Sequence, residues 1–211
     1  MGDWKNIGSL VLRASSLALM LVAVTGLPAE AHHVMGGRTP ATLMEGFLSG
    51  LAHPMIGLDH LAFIVAMGVA VGVAGLNLAV PALFIVASAI GVAVHVRGVT
   101  LPDAEILVAL SVVIAGAMIA SGRSLQALVW AALFVLAGLV HGYAFGESIF
   151  GAEASPLAAY LLGLVIVQVA VATAVALIAR RSGAAATEPR LAGAAIAGIG
   201  IAILAGQLLP T

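Results

Sequence analysis

No cysteine occurs anywhere in the 211 residues. That excludes disulfides and thiolate metal sites together, so a bound metal must be held by histidine, carboxylate, methionine or backbone oxygen. Charge is almost as scarce, at 8% of residues against 63% hydrophobic. A soluble domain carries roughly 25% charged residues, so this composition cannot cover a water-facing surface, and a bilayer is the solvent that suits it. A net charge of -1 lacks the basic footprint of a nucleic-acid binder. The phosphate-cradling loop of nucleotide-driven pumps is absent. Alternating strands of the kind a membrane barrel needs are absent too.

What is present begins with an address. Lys5 and Arg13 precede an apolar run from Leu17 to Leu27, and Ala29-Glu30-Ala31 follows as an A-x-A cleavage site. Residues 1–31 therefore read as a secretory signal peptide, with an uncleaved first span as the alternative. Residues 32–211 then form one six-span transmembrane domain. Apolar runs lie at about Leu58–Ala74, Leu76–Val96, Ala104–Ala120, Leu125–Phe145, Pro156–Ala179 and Leu191–Leu209, near the 20 or so residues that one crossing needs. Breakers separate them at Gly75, Gly98 to Pro102, Gly122, Gly151 to Pro156 and Gly183 to Pro189. A shorter piece, Ala41–Ala52, stops before His53-Pro54 and is expected to be re-entrant or interfacial. The fold class is an all-α membrane protein, a six-helix transmembrane bundle behind that short helix. Abundant glycine and alanine in the runs suit close helix packing, and equally contacts within a homo-oligomer.

Orientation follows from charge. With the mature N-terminus in the periplasm, the inside loops carry Arg123, Arg180, Arg181 and Arg190, as the positive-inside bias requires. The expected location is the bacterial inner membrane, multi-pass. In that topology His32, His33, His53, His60, His95 and His141 all fall outside the membrane or at the periplasmic end of a span. Asp59 and Glu147 fall there as well.

Two constellations stand out. The first is His53-Pro-Met-Ile-Gly-Leu-Asp59-His60, where Pro54 and Gly57 break the helix and turn side chains from two helical ends towards one point. Ion sites of transporters use such discontinuities, although Asp59 also suits an N-cap. The second is His141-Gly-Tyr-Ala-Phe-Gly-Glu147. His141 and Phe145 share a helix face, and Gly142 with Gly146 permits an irregular end that returns Glu147 beside His141. The candidate ligands are His53, Asp59, His60, His141 and Glu147, with His95, His32 and His33 as further members. Imidazole with carboxylate suits nickel, zinc, copper or iron. Met35, Met44, Met55 and Met67 offer thioethers to copper(I), but packing is the preferred reading. Gln168, Thr173 and Ser111 are the polar steps available to an inner path.

His-Pro-x-x-Gly-x-Asp-His at 53–60 and His-Gly-Tyr-Ala-Phe-Gly-Glu at 141–147, behind a signal and within six spans, resemble the HupE/UreJ family over essentially the whole mature chain. The resemblance implies a secondary nickel permease serving hydrogenase or urease maturation, with cobalt the cargo of some branches. It implies His53, Asp59 and His60 as one metal motif, and His141 with Glu147 as the other. Members often carry further histidines where this chain has Tyr143 and Phe145, and many carry one near Gln168. His95 is outside the typical pattern. The expected function is uptake of a divalent metal, Ni2+ first, from the periplasm by a protein that is not an enzyme and needs no cofactor beyond its cargo. The alternatives are a cobalt or copper carrier, an intramembrane zinc hydrolase, and a membrane metal sensor or assembly factor.

Overall fold

A computed structural model describes residues 38–184 and 186–209. The expected signal peptide, His32, His33 and Met35 lie outside the described residues. Those that are described form seven helices and no strand: α1 Leu43–Ile56, α2 Leu58–Val73, α3 Ala82–Val96, α4 Ala104–Ala120, α5 Ala127–Glu147, α6 Ala154–Ala179 and α7 Thr187–Leu208.

Local chemistry explains the boundaries. Thr42 caps α1 by accepting from Glu45 N, while the Glu45 carboxylate accepts from Ala41 N and Thr42 N. These bonds close a capping box. The helix does not stop before His53 as expected. It continues through Pro54 to Ile56, and the break falls at Gly57, where α1 and α2 bend by 78°. Proline misleads twice more. Pro156 and Pro189 lie inside the first turns of α6 and α7, where a backbone N–H has no intrahelical partner to lose. Both helices therefore start earlier than their apolar runs.

The second apolar run errs in the other direction. Its first residues, from Leu76 to Pro81, are not helical, and α3 starts only at Ala82. Asn77 Oδ1 accepts from Ala79 N at 2.9 Å, a local side-chain bond that competes with helix, and Pro81 follows. The expected turns at Gly75, Gly98, Gly122 and Gly151 all have positive φ, a backbone conformation open to glycine without steric cost.

Helix α2 is the axis of the bundle. Phe63, Ile64, Met67, Ala70 and Val71 have no exposed surface, and a helix apolar on all sides belongs inside. Around it α3 packs on α5, α4 on α7, and α1 on α6. Each of these seams is made by glycine. A Cβ on Gly142 would strike the Ser88 backbone, one on Gly193 the Ala120 and Gly116 backbone, and one on Gly50 or Gly163 the facing helix. Close approach through small residues is how helices associate where no water drives them together.

The outer surface is apolar, with Leu128, Leu136, Ile178 and Ile201 among many exposed large side chains. Among the described residues three helices, α5, α6 and α7, are long and apolar enough to cross a membrane. The bent pair of α1 and α2 makes a fourth if it counts as one span. Helices α3 and α4 are apolar but have 15 and 17 residues. Backbone polar groups satisfied within helices and apolar surface outside are what a bilayer demands.

Candidate metal centre

The bend at Gly57 is the origin of the site. It ends α1 with His53 on its last turn and opens α2 with Asp59 and His60 on its first. Gly57 is the cap residue between them, so Asp59 is not the N-cap. It sits in the first turn, and its Oδ1 accepts from His60 N at 2.8 Å. The glycine is required by a close approach: a Cβ there would lie 2.6 Å from His60 Cδ2 and 3.2 Å from Asp59 Oδ1.

These three side chains line one cleft with Glu105 and Val108 of α4, Ala144 and Glu147 of α5, and Ser148. Its volume is about 390 Å³ including the open space at the mouth. His53 and His60 stand with ring centres 5.5 Å apart. Phe145 lies against both, at 5.4 Å from the first and 4.5 Å from the second. His60 Nε2 is 4.0 Å from Asp59 Oδ1. Among the described residues no three histidine, aspartate or glutamate side chains are grouped closely enough to hold one ion as they stand.

Each imidazole is tied to the bundle behind the cleft. His53 Nδ1 is 2.6 Å from Ser148 Oγ. Ser148 in turn meets Tyr160 Oη at 3.2 Å, and Tyr160 donates to Phe145 O at 2.7 Å. His60 Nδ1 is 2.9 Å from His141 Nδ1, and His141 Nε2 is 2.9 Å from Ser111 Oγ. His141 has no exposed surface. Beyond it Phe63 and Phe84 stack on each other at 5.2 Å, and each lies against its ring.

The two sequence constellations thus meet, though not as expected. Glu147 lines the cleft, whereas His141 stands behind His60 and not beside Glu147. Helix α5 runs regularly to Glu147, and Gly142 and Gly146 serve instead to admit Ser88 and His95 of α3. Ser111, expected as an inner step, bonds His141. His95 does not join the cleft. It packs on Tyr143 at 4.5 Å and Phe150 at 5.7 Å. Tyr143 is itself occupied, donating to Val99 O and accepting from Leu101 N. Met67 is core, while Met44 and Met55 are exposed on α1. Gln168 is fully buried, with Ser88 Oγ at 3.5 Å from its Oε1.

Residues 17–203 match the family model described as HupE / UreJ protein. The chain belongs to the HupE/UreJ family. A relative named Protein HupE, from Rhizobium leguminosarum bv. viciae, is 30% identical over 190 residues, which is 88% of this chain and 95% of that one. No solved structure matches the chain. Membership in the HupE/UreJ family and the apolar helices together make this a membrane protein.

Sequence reasoning missed Glu105, Ser148, Tyr160 and the role of Phe145. Tyr160 left a trace, being one of two tyrosines in the chain and set within a long apolar helix. Glu105 left none, because only the packing of α4 against α2 and α5 brings its helix start to the cleft.

Proposed function

We propose that this HupE/UreJ chain is a secondary carrier that takes up a divalent transition metal, with Ni2+ as the first cargo, from the periplasmic side of a bacterial inner membrane. The observation that carries this reading is the shared cleft of His53, Asp59 and His60 with Glu105 and Glu147. Two imidazoles and three carboxylates form a donor set for a borderline divalent cation, with charge compensation built in. Ionisable groups among apolar helices are costly and mark ion pathways.

Helices α2 to α7 serve as the six crossings, with α1 entering as a re-entrant element. The shorter helices measure roughly 22–26 Å at 1.5 Å per residue, against a hydrocarbon core of about 30 Å, and their flanking turns supply the remainder. Arg123, Arg180 and Arg181 follow the helix ends opposite the cleft, and Arg190 lies in the first turn of α7 on the same side. The positive-inside bias therefore turns the cleft outward. Capture draws the cleft side chains onto the ion. Without a nucleotide-binding loop, a gradient or trapping inside the cell supplies the driving force.

The test is uptake of labelled nickel, cobalt and copper by cells expressing the chain, with His53→Ala and Asp59→Ala at equal membrane abundance. Uptake of one metal, abolished by both substitutions, is the expected result and names the cargo. No accumulation above the empty vector, from inserted protein, would refute carriage.

A further inference from the structure

A histidine ligates a cation only through a ring nitrogen that carries no proton, and the partner of the other nitrogen decides which one that is. For His60 that partner is another histidine, and the direction of each bond between them follows from the far end of the chain. Val108 O is a backbone carbonyl and can only accept. Ser111 Oγ donates to it at 2.7 Å. The serine's single proton is committed there, so its lone pairs are what it offers to His141 Nε2 at 2.9 Å. His141 is fully enclosed, and both of its hydrogen-bond partners lack formal charge when His60 is neutral, which favours the neutral ring. A neutral ring has one proton, and the serine places it on Nε2. His141 Nδ1 must then accept, and His60 Nδ1, 2.9 Å away, must donate. The proton of His60 is thereby assigned to Nδ1 and its basic lone pair to Nε2.

Both nitrogens of His141 are engaged in this relay, and its ring is not among the side chains lining the cleft. We propose that His141 is a positioning residue and not a ligand: with Ser111 and the Val108 carbonyl, it holds His60 in the Nδ1–H tautomer, so that His60 meets a divalent cation through Nε2. This rests on the metal-capture reading of the cleft. The relay spans α2, α5 and α4, so three helices must pack correctly before His60 presents its basic nitrogen.

Two measurements test it, and they fail separately. The first is NMR of the full chain in lipid nanodiscs without metal, with 15N-labelled histidine. Protonated and unprotonated ring nitrogens resonate apart, and the expected spectrum has Nδ1–H on His60 and Nε2–H on His141. In Ser111→Ala the His141 signal should become a tautomer mixture. Nε2–H on His60 in the unaltered chain overturns the proposal without recourse to any variant.

The second is titration of the purified chain with Ni2+ and, separately, Co2+. His141→Asn places a carbonyl oxygen near the lost Nδ1 and still accepts from His60, whereas His141→Leu does not. The asparagine variant should bind within about threefold of the parent, and the leucine variant about ten- to a hundredfold more weakly, the usual range for outer-shell partners. Equal losses in two variants that melt like the parent would make His141 a ligand and overturn the proposal. If the parent binds neither metal, the capture reading fails and the positioning role falls with it, while the tautomer spectrum still decides the relay.

Discussion

The Nδ1 atoms of His60 and His141 face each other at 2.9 Å, joining a residue of the first sequence motif to one of the second across 81 positions of chain. A single proton bridges them, because two N–H groups would repel and two lone pairs would form no bond. Two nitrogens bound to one ion at about 2.0–2.1 Å and near a right angle would stand at much the same separation. Proximity alone therefore does not make a ligand pair. An Nε2–H of His141 on Ser111 suits either reading, so the position of the proton on His60 is what separates them.

Gly57→Ala should damage the site with little effect on the bundle. The added methyl would lie 2.6 Å from His60 Cδ2, and the imidazole must turn away. We expect Ni2+ affinity to fall roughly tenfold, as for other disturbances of ligand orientation, with helical circular dichroism unchanged. Parent-like affinity would refute the close approach as a determinant of the site.

Glu105 and Glu153 make a contrasting pair. Glu105 lines the cleft, whereas Glu153 is the N-cap residue of α6 and lies outside it. Glu105→Gln should raise the half-saturating metal concentration for uptake severalfold, since a carboxylate in a cation site supplies charge as well as oxygen. Glu153→Gln should leave it unchanged. Equal effects of the two would point to general surface charge and not to the cleft.

His95→Phe tests the separation of the histidines. The ring packs on Tyr143 and Phe150, and phenylalanine preserves that packing. Metal uptake should match the parent. A loss comparable to that of His53→Ala would place His95 on the pathway.

Tyr160→Phe removes the donor to Phe145 O. The carbonyl then keeps only the longer contact from Ser148 Oγ at 3.3 Å, and losing the better hydrogen bond costs about 1 kcal/mol, so the thermal midpoint in detergent should fall. Because Ser148 also loses a partner, His53 is held less firmly, and metal affinity should weaken as well. An unchanged melting curve would mean that another group satisfies the carbonyl.

Two glycines of α7 separate packing from propensity. Gly193→Ala would drive a methyl into the Ala120 and Gly116 backbone, and overpacking of this kind costs about 1–3 kcal/mol. Gly198→Ala meets nothing within 4 Å, and alanine is the better helix former by about 1 kcal/mol. The first should lower the thermal midpoint and the second leave or raise it. The reverse order would refute the α4–α7 seam.

The sequence alone determined that the chain is helical and belongs in a membrane, because sparse charge and long apolar runs leave no other solvent and no other way to satisfy the backbone. It also marked His53, Asp59 and His60, since ionisable groups in so apolar a chain stand out. The turns at Gly75, Gly98, Gly122 and Gly151 were legible because positive φ selects glycine. Helix starts at Pro156 and Pro189 were misread because a proline's effect depends on which turn it occupies. The tertiary structure alone decided that Glu105 and Ser148 line the cleft, that Tyr160 anchors His53 through Ser148, that His141 stands behind His60, and that His95 belongs elsewhere. The physical reason is that these relations depend on how far each helix slides along its neighbour. That register is set by glycines seated on facing backbones, as Gly142 is on Ser88, and such pairings join positions that no local periodicity connects.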